Sequence, residues 1–520
     1  MQTNLTSYDV VAYPGYSHPQ TLPARLAVIG ILSGLEPKPA DHCRVLELGC
    51  GDGSNLVPMA STLPGSEFLG LDLAANPIAR GQQLIRDVGL TNVQLLQSDI
   101  SDFKGTGEKF DYIIAHGMFS WVPPEVRKQL LGLCRALLAP QGIAFVSYNA
   151  FPGAHLRNML REMMLFHVRG AESPLDRVQQ AQALIKFLAE AQDVRDEFNH
   201  WMKAELDSIL EHDKGHIYHD ELSEINEPLY FTQFIGQAAD HDLQYLGEAD
   251  YFEMFDYRFN AATRQTLKQL GSNRLLREQY LDFLKFRRFR QTLLCHREAV
   301  LHQQPAPEKV INFYISSLAK SGDSKPDLRP GVKVAFKAPK GQTCETDYPL
   351  GKAALAVLAE NELLPTHCED LLHQAELLLN NAGIVEQGTD DPHEKLRSFL
   401  LELYRAGVVE FRSHLPVMAR TVSERPAVSP LVRWQIQHGD FVTSQLHTGV
   451  KIEDEIGRGL LSSLDGTLTC GDLSKKLWKL LKSKNPLTMK ESDEADLRRK
   501  IENDLKNSLE QLARIGLLVS

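Results

Sequence analysis

The stretch that most constrains the fold of this chain is residues 44–53, which read RVLELGCGDG. Its first half is apolar at three of the four positions from Val45 to Leu48, which is typical of a short strand buried on both faces of a sheet. Its second half has glycine at alternate positions: Gly49, Gly51 and Gly53. Glycines between a strand and a following helix let backbone N–H groups approach a ligand closely, because no Cβ atom intervenes. The pattern predicts a ligand site, with a tight turn that binds nothing as the alternative.

Further apolar runs predict that this strand belongs to an open parallel sheet. They are residues 67–73 (EFLGLDL), 93–97, 110–115 (FDYIIA) and 142–148 (GIAFVSY). Strands that alternate with helices at this spacing indicate an α/β fold whose ligand lies beyond the carboxyl ends of the strands. Asp72 closes the second run, about twenty residues after the glycines, where such folds place a carboxylate that hydrogen-bonds both ribose hydroxyls.

The pattern E-x-G-x-G-x-G that starts at Glu47 resembles motif I of class I S-adenosylmethionine (SAM) methyltransferases. The resemblance implies a Rossmann-like core that binds SAM, with Glu47 near the methionine amino group, the glycines around the amino acid and ribose, and Asp99 and Ile100 beside adenine. The candidate cofactor-binding residues are Tyr13, Tyr16, Glu47, Gly49, Gly51, Gly53, Asp72, Leu73, Asp99, Ile100 and His116. An NAD-dependent oxidoreductase is the least favoured alternative, because Ser54 stands where the dinucleotide fingerprint has its third glycine.

An aromatic and proline-rich segment precedes the first strand. Residues 13–19 read YPGYSHP, a composition that favours an ordered loop over a flexible tail. Two interpretations of its tyrosines stay open. Tyr13 and Tyr16 either help the loop to cover the cofactor mouth and exclude water, or they simply pack the loop onto the domain.

Residues 116–124 (HGMFSWVPP) follow the fourth strand. In class I methyltransferases the end of this strand faces the transferable methyl group and the incoming nucleophile. The candidate catalytic residues are His116, Trp121, Tyr148 and Asn149, the last two being expected at the same rim from the end of the fifth strand. Trp121 is a candidate wall of an acceptor pocket and His116 a candidate proton acceptor for an amine. The alternative is that Trp121 packs and His116 only hydrogen-bonds the backbone.

Methyl transfer from a sulfonium is an in-line displacement in which positioning and desolvation carry most of the catalysis. No metal is therefore expected at this site. Aromatic walls with a few oxygen acceptors would favour a neutral amine and align its lone pair.

Several short motifs in a fixed order extend the resemblance. YPGYS, LELGCGDGSNLVPMA, AHGMFSWVP and SYNAFPG are similar to motifs of the bacterial methyltransferases that carry a methyltransferase regulatory domain. That group includes protein-lysine methyltransferases of certain intracellular bacteria. The similarity implies SAM-dependent transfer, a lysine acceptor on a protein and a homodimer. Methylation of RNA or of a small molecule, and SAM binding without catalysis, are the alternatives.

The predicted elements place a methyltransferase core at residues 1–300. A class I sheet needs two more strands after the fifth. We therefore expect a helical insertion at about 157–216, and a regulatory region at about 217–300 that supplies those two strands. His219, Asp220 and Glu221 either contact substrate or brace the junction of insertion and core.

Two small winged-helix-like α+β domains are predicted after the core, at residues 301–418 and 419–520. Both contain a helical stretch that breaks at a glycine into an apolar, β-rich end: FLLELYRAGVVEF at 399–411 and SLEQLARIGLLV at 508–519. Such folds bind nucleic acid or protein, and the fold alone does not choose between them.

Composition indicates which binding partners and which cellular compartment to expect. The 520 residues carry a net charge of −11, so affinity for phosphate backbones is not the dominant surface property and nucleic acid is disfavoured as a partner. The seven cysteines show no C-x-x-C spacing, which favours reduced thiols in a cytoplasm over disulfides or structural zinc. The N-terminus lacks the pattern of a signal peptide, and the longest apolar run, residues 26–35, is about half of a membrane span. A cytoplasmic protein without a membrane partner is expected.

Overall fold

The computed structural model describes residues 6–520 apart from 106, 194, 271–272, 303, 324, 385–390 and 485–490, and it gives no side chains for 483–484 and 491–495. Within this described part, none of the helices is at once long and apolar enough to span a membrane.

A seven-stranded sheet lies at the centre of the described chain. Its strands are β1 (Arg44–Leu48), β2 (Glu67–Asp72), β3 (Val93–Gln97), β4 (Phe110–Ala115), β5 (Leu138–Asn149), β6 (Leu243–Glu248) and β7 (Phe289–His296). They are ordered β3-β2-β1-β4-β5-β7-β6, and β7 runs antiparallel to both of its neighbours. The strand order reverses between β1 and β4, which opens a crevice at the carboxyl ends of these two strands. The predicted α/β class with a Rossmann-like core is confirmed.

Five helices precede the insertion in the described chain. They are α1 (Ser7–Val10), α2 (Pro23–Leu32), α3 (Leu56–Thr62), α4 (Ala75–Val88) and α5 (Pro124–Leu137). Pro23 and Pro124 begin their helices, where the fixed φ of proline suits the first turn. The helix after the glycines begins at Leu56, because Asp52 accepts hydrogen bonds from the Ser54 N–H (3.1 Å) and hydroxyl (2.6 Å) and so extends the loop.

The insertion is a helical layer with its own apolar core. Its helices are α6 (Ala154–His167), α7 (Pro174–Glu190), α8 (Glu197–Leu210) and the single turn α9 (Lys214–His216). Met164, Ala181 and Ile185 are fully buried among them. Ion pairs hold the layer to the sheet domain: the Arg288 guanidinium lies 2.7 Å from Glu205.

The region after the insertion completes the sheet with β6 and β7. Its helices are α10 (Phe231–Ala239), α11 (Ala261–Gln269) and α12 (Arg274–Lys285). β7 pairs with β5 along six residues, from Ala144 opposite Leu294 to Asn149 opposite Phe289.

The middle region is an α+β unit with two small sheets, ordered β11-β10-β9 and β12-β8-β13 once its strands are numbered. The strands are β8 (Tyr314–Ser316), β9 (Lys320–Ser321), β10 (Val334–Lys337), β11 (Thr343–Thr346), β12 (Thr366–His367) and β13 (Glu410–Arg412), and the helices are α13 (Pro349–Asn361), α14 (Cys368–Asn381) and α15 (Pro392–Arg405). The apolar core of this unit is continuous with that of the large sheet. An ion pair between Arg25 and Glu410 (3.1 Å) also joins the two units.

The C-terminal unit has a separate apolar core and the helices and hairpin of a winged helix. Its elements are α16 (Pro430–His438), β14 (Phe441–Thr443), β15 (Gly449–Lys451), α17 (Glu455–Leu461), α18 (Cys470–Lys484) and α19 (Glu491–Arg514). The turn of the hairpin, residues 444–448, lies between β14 and β15. It reaches back to the start of α3, where the His447 ring contacts Asn55.

Candidate active site

The glycine loop after β1 has the backbone that the sequence predicted. Gly49, Gly51 and Gly53 all have positive φ, at 73°, 56° and 78°, in the left-handed region that favours glycine. Apart from Gly51 and its two neighbours in the chain, no heavy atom of the described residues lies within 4 Å of where a Cβ of Gly51 would stand, so the backbone is open to a ligand there. A Cβ on Gly49 would lie 3.2 Å from the Met118 sulfur, which brings the loop after β4 beside the glycines.

Asp72 at the end of β2 holds this loop in place. Its two carboxylate oxygens accept hydrogen bonds from the backbone N–H groups of Gly51 and Ala74, both at 2.8 Å. Burial raises the pKa of the carboxyl. Leu73 follows with 55% of its surface exposed, an unusual exposure for a leucine at the mouth of a crevice.

Glu47 in β1 is a buried acid with one unused oxygen. Its Oε1 accepts a hydrogen bond from the Asn55 amide (2.8 Å), whereas Oε2 is buried without a hydrogen-bond partner among the described residues. Burial raises the pKa of Glu47 to about 8. A buried carboxyl oxygen without a partner is costly, so this atom suits a cationic group of a ligand, such as the amino group of SAM.

Asn55 connects the site to two other segments, and the sequence did not single it out. Besides bonding Glu47, its amide accepts hydrogen bonds from the backbone N–H of His18 (2.9 Å) and from the ring of His447 (2.9 Å). The Asn55 Nδ2 also donates to the Thr21 hydroxyl (3.1 Å). Asn55 stands at the N-cap of α3 but makes no side-chain cap. In the sequence, an asparagine after the glycines is typical of a helix N-cap, so it does not indicate a role in the site.

The segment before the first strand lies directly on the glycine loop. A Cβ on Gly15 would be 2.0 Å from the Ser54 hydroxyl, so the two backbones are in close contact. The Asp9 carboxylate accepts the backbone N–H of Asn76 (2.7 Å) at the start of α4.

The two tyrosines of this segment contact the insertion. Tyr13 donates to Asp220 (3.3 Å), and the Tyr16 ring stacks on His216 at 5.7 Å. Of the two interpretations of Tyr13 and Tyr16, these contacts favour packing of the loop over direct contact with a cofactor. The loop itself still borders the site.

His219, Asp220 and Glu221 lie at the junction of the insertion and the core. The His219 ring bonds the carbonyl of Val11 (2.8 Å) and stacks on Tyr8 at 4.0 Å. Glu221 pairs with Arg157. These contacts support the bracing interpretation of His219, Asp220 and Glu221.

Three rings form an aromatic rim at the end of β4: His18, His116 and Phe289. The His18 and His116 rings stack at 3.7 Å, and Phe289 lies edge-on to His116 at 6.1 Å. Burial lowers the pKa of His116 to about 3 and that of His18 to about 4. Both rings are therefore neutral at physiological pH. His116 is a much weaker base than the sequence-based role of proton acceptor requires, because an efficient base has a pKa near the working pH.

Trp121 lies in the turn after β4, and Asn149 is the last residue of β5. Trp121 is half-buried in the helical turn Phe119–Trp121. The Asn149 backbone N–H donates to the Ser120 hydroxyl (2.8 Å), and its side chain donates to Asn226 (3.0 Å). The two segments that follow β4 and β5 are thus joined.

Tyr148 does not lie at this rim, and the expected placement beside Asn149 is corrected. Its side chain is 1% exposed and its ring stacks on Phe234 of α10 at 4.2 Å. The hydroxyl faces Thr292 of β7 at 3.4 Å. Successive residues of a strand point to opposite faces, so Tyr148 enters the core. Its phenol is also far from acting as a base, because burial raises its pKa.

Asp99 and Ile100 follow β3. Asp99 is exposed and accepts the Ser101 N–H at 2.9 Å, whereas Ile100 is 6% exposed. An exposed acid beside a buried apolar residue agrees with the expected pair beside adenine.

Comparisons with known proteins agree with this architecture. The family model described as a methyltransferase domain matches residues 45–142, and the predicted methyltransferase regulatory domain matches 213–296. The model described as the PKMT C-terminal winged helix domain matches 424–517.

Individual relatives extend the similarity to nearly the whole chain. The Rickettsia prowazekii protein RP028 is 39% identical over 238 residues, which are 46% of this chain and 95% of that protein. RP789 of the same organism is 28% identical over 454 residues, 86% of this chain and 81% of that protein. The structure of PKMT2 from Rickettsia typhi, also solved in complex with AdoHcy, superposes with a TM-score of 0.84 at 30% identity, covering 98% of this chain and all of that one.

Proposed function

This chain belongs to the family of SAM-dependent methyltransferases that carry a methyltransferase regulatory domain and a PKMT-type C-terminal winged helix, and we propose that it transfers the methyl group to lysine side chains of a protein. The observation that carries the proposal is the similarity to PKMT2 from Rickettsia typhi across 98% of the chain, winged helix included. A protein substrate also fits the large accessory regions around the crevice.

The residues of the crevice fit SAM in three places. Among the described residues, Glu47 has a buried oxygen without a hydrogen-bond partner that would face the amino group, and the open backbone at Gly51 would leave room for the amino acid. Asp72 would bond the ribose, and Leu73 and Ile100 would pack against adenine. When bound, SAM supplies the electrophilic methyl group on its sulfonium.

The acceptor must reach the methyl group as a neutral amine, because a lysine ammonium has no free lone pair. The lysine pKa is normally about 10.4, and desolvation beside the neutral rings of the aromatic rim lowers it. A neutral His116 neither repels nor protonates the incoming amine. We therefore propose that His116 shapes and aligns the acceptor, and that the lysine proton leaves to water as the side chain enters.

Replacing His116 with alanine is expected to lower turnover by about tenfold to a hundredfold, because a gap in the rim misaligns the in-line attack. The dissociation constant for SAM, measured by calorimetry, should change by less than about twofold, because distant sites contribute almost independently to the free energy of binding and the proposal gives His116 no contact with SAM. His116→Phe is the matched control, since it keeps a ring and removes the nitrogens. Loss of SAM binding together with turnover would instead make His116 a cofactor ligand or a structural residue.

Replacing Asp72 with alanine is expected to weaken SAM binding by about tenfold, the scale of a lost charge-assisted hydrogen bond. The same change frees the N–H of Gly51 and could disturb the loop. A cycle with 2′-deoxy SAM separates the two effects: if the carboxylate bonds the ribose, the losses from Asp72→Ala and from the missing hydroxyl are not additive. Fully additive losses, or unchanged affinity, would refute the ribose assignment.

The substrate class is tested with SAM labelled in its methyl group. The pure protein is mixed with a hypomethylated lysate of its own host, and the same lysate without added protein serves as the control. Label that protease releases and acid hydrolysis yields as methyl-lysine supports the proposal and names targets for mass spectrometry. Label lost to ribonuclease would mean RNA, and label in small molecules would mean a metabolite. No transfer with SAM binding intact would mean an interaction protein.

A further inference from the structure

The C-terminal winged helix takes part in the SAM site through one side chain. His447, in the turn between β14 and β15, is 1% exposed. Its Nε2 lies 2.9 Å from the Oδ1 of Asn55. Asn55 in turn donates to Glu47, the buried glutamate in β1, the strand that precedes the glycine loop. A continuous hydrogen-bonded chain thus runs from the winged helix to Glu47.

The contacts of Asn55 fix which atom donates and which accepts in the two hydrogen bonds that connect His447 to Glu47. The Asn55 Nδ2 donates to the Glu47 carboxyl, and its Oδ1 accepts the His18 backbone N–H. Oδ1 is therefore the atom that faces His447, and a carbonyl oxygen only accepts. The imidazole must carry its proton on Nε2 and donate it. This bond holds the Asn55 amide in the orientation that occupies Glu47 Oε1, while Glu47 Oε2 is buried without a hydrogen-bond partner in the described part of the chain.

The backbone of the turn is an independent observation. His447 has a φ of 63°, in the left-handed region that disfavours residues with a side chain. Two other segments hold the turn: Arg412 donates to the Leu446 carbonyl (3.2 Å) and the Gln445 N–H donates to the Gly516 carbonyl (2.8 Å). Glycine would adopt this backbone without strain, so the turn by its shape alone has no need of an imidazole.

We infer that His447 is a positioning residue of the SAM site, which acts through Asn55 to orient Glu47 toward the cofactor amino group. The inference rests on the proposed assignment of Glu47 to that amino group. It does not depend on the nature of the methyl acceptor. The winged helix is then part of the cofactor site, in addition to any role in substrate recruitment.

A second contact between the same two units provides a control for simple docking. The Trp434 indole N–H on α16 donates to Asp87 of α4 at 3.0 Å, away from the glycine loop. Trp434→Phe removes this bond and leaves the turn intact. If the winged helix only needs to be docked, His447 and Trp434 variants should behave alike.

The test uses the full-length protein and three replacements of His447. Gln keeps an N–H donor at the same number of bonds from the backbone, Met has similar length without a donor, and Gly removes both the side chain and the strain. SAM dissociation constants are measured by calorimetry, and thermal unfolding reports the fold. We expect Met and Gly to weaken SAM binding by about threefold to tenfold, the scale of one hydrogen bond, while Gln stays within about twofold and rescues.

Thermal unfolding shows whether each variant folds; the Gly variant gains from relief of the backbone strain but loses the buried imidazole and its bond with Asn55. Native SAM affinity in the Met variant would overturn the inference, and so would an equal loss in Trp434→Phe. Glu47→Gln is measured in parallel: if it binds SAM normally, the assignment of Glu47 is wrong and the inference fails with it. Because no acceptor is present, failure of the lysine proposal leaves this result intact.

Discussion

Replacing Glu47 with glutamine is expected to weaken SAM binding by about tenfold to a hundredfold, since a hydrogen bond to a charged group contributes about 1.5–3 kcal/mol. Glutamine keeps the size of the side chain and its bond with Asn55 but removes the charge that would face the amino group of SAM. Calorimetry measures the loss directly. Glu67→Gln is the matched control, because Glu67 lies on the next strand with 70% of its side chain exposed.

The same residue predicts how SAM binding depends on pH. Burial raises the pKa of Glu47 to about 8, so the free protein holds a proton there at neutral pH, whereas a cation requires the carboxylate. Binding should release a proton, and affinity should rise between about pH 6 and 7.5, below the range where an α-amino group itself titrates. Calorimetry in two buffers of different ionisation enthalpy measures the released proton. Glu47→Gln should abolish the release, and a native protein that releases no proton would contradict the assignment.

The raised pKa has the opposite consequence for the stability of the free protein. The folded protein keeps the Glu47 proton up to about pH 8, whereas an unfolded chain loses it near 4.5. This contribution to stability is therefore complete below pH 4.5 and is lost as the pH rises to about 8. Glu47→Gln removes this part of the pH dependence.

Replacing Arg290 with methionine is expected to destabilise the fold by about 3–5 kcal/mol, the cost of breaking a buried ion pair by removing one partner. Arg290 on β7 is fully buried. Its guanidinium contacts Glu248 (2.5 Å), Asp282 (2.8 Å) and Glu278 (3.2 Å), and it lies over the Phe231 ring at 4.0 Å. Without it, three buried acids lose this shared counter-charge.

Urea unfolding combined with hydrogen exchange of the β7 amides measures this loss. Arg290→Lys keeps the charge but not the planar fork, so it should fall between the native chain and Arg290→Met. Arg195→Met is the surface control: Arg195 pairs with Asp193 at 88% exposure, and such pairs contribute about 0–1 kcal/mol. An effect of Arg290→Met as small as that of Arg195→Met would mean that the cluster does not hold the edge of the sheet.

The sequence predicted the parts of the site that lie on consecutive residues. Glu47, the three glycines and Asp72 follow from a strand, a turn and the end of the next strand, and parallel pairing brings those ends to one edge. The prediction for Tyr148 was wrong because it put Tyr148 and Asn149 on the same face of β5, whereas neighbouring residues of a strand point to opposite faces. Nothing in the sequence indicated the low pKa of His116, because that pKa follows from burial beside His18 and Phe145, which are far away in the chain.

The sequence by itself determined the fold class and the cofactor, because short-range patterns of glycine, apolar and acidic residues encode a strand, a turn and a helix. It also predicted the carboxylates of the site. Only the tertiary structure decided what surrounds them. The contact between Asn55 and His447 spans 392 residues, and the tyrosines of the first loop bind an insertion about 200 residues later. Such contacts depend on how whole domains pack, and domain packing is set by the summed burial of many side chains. A short sequence motif therefore does not predict these contacts.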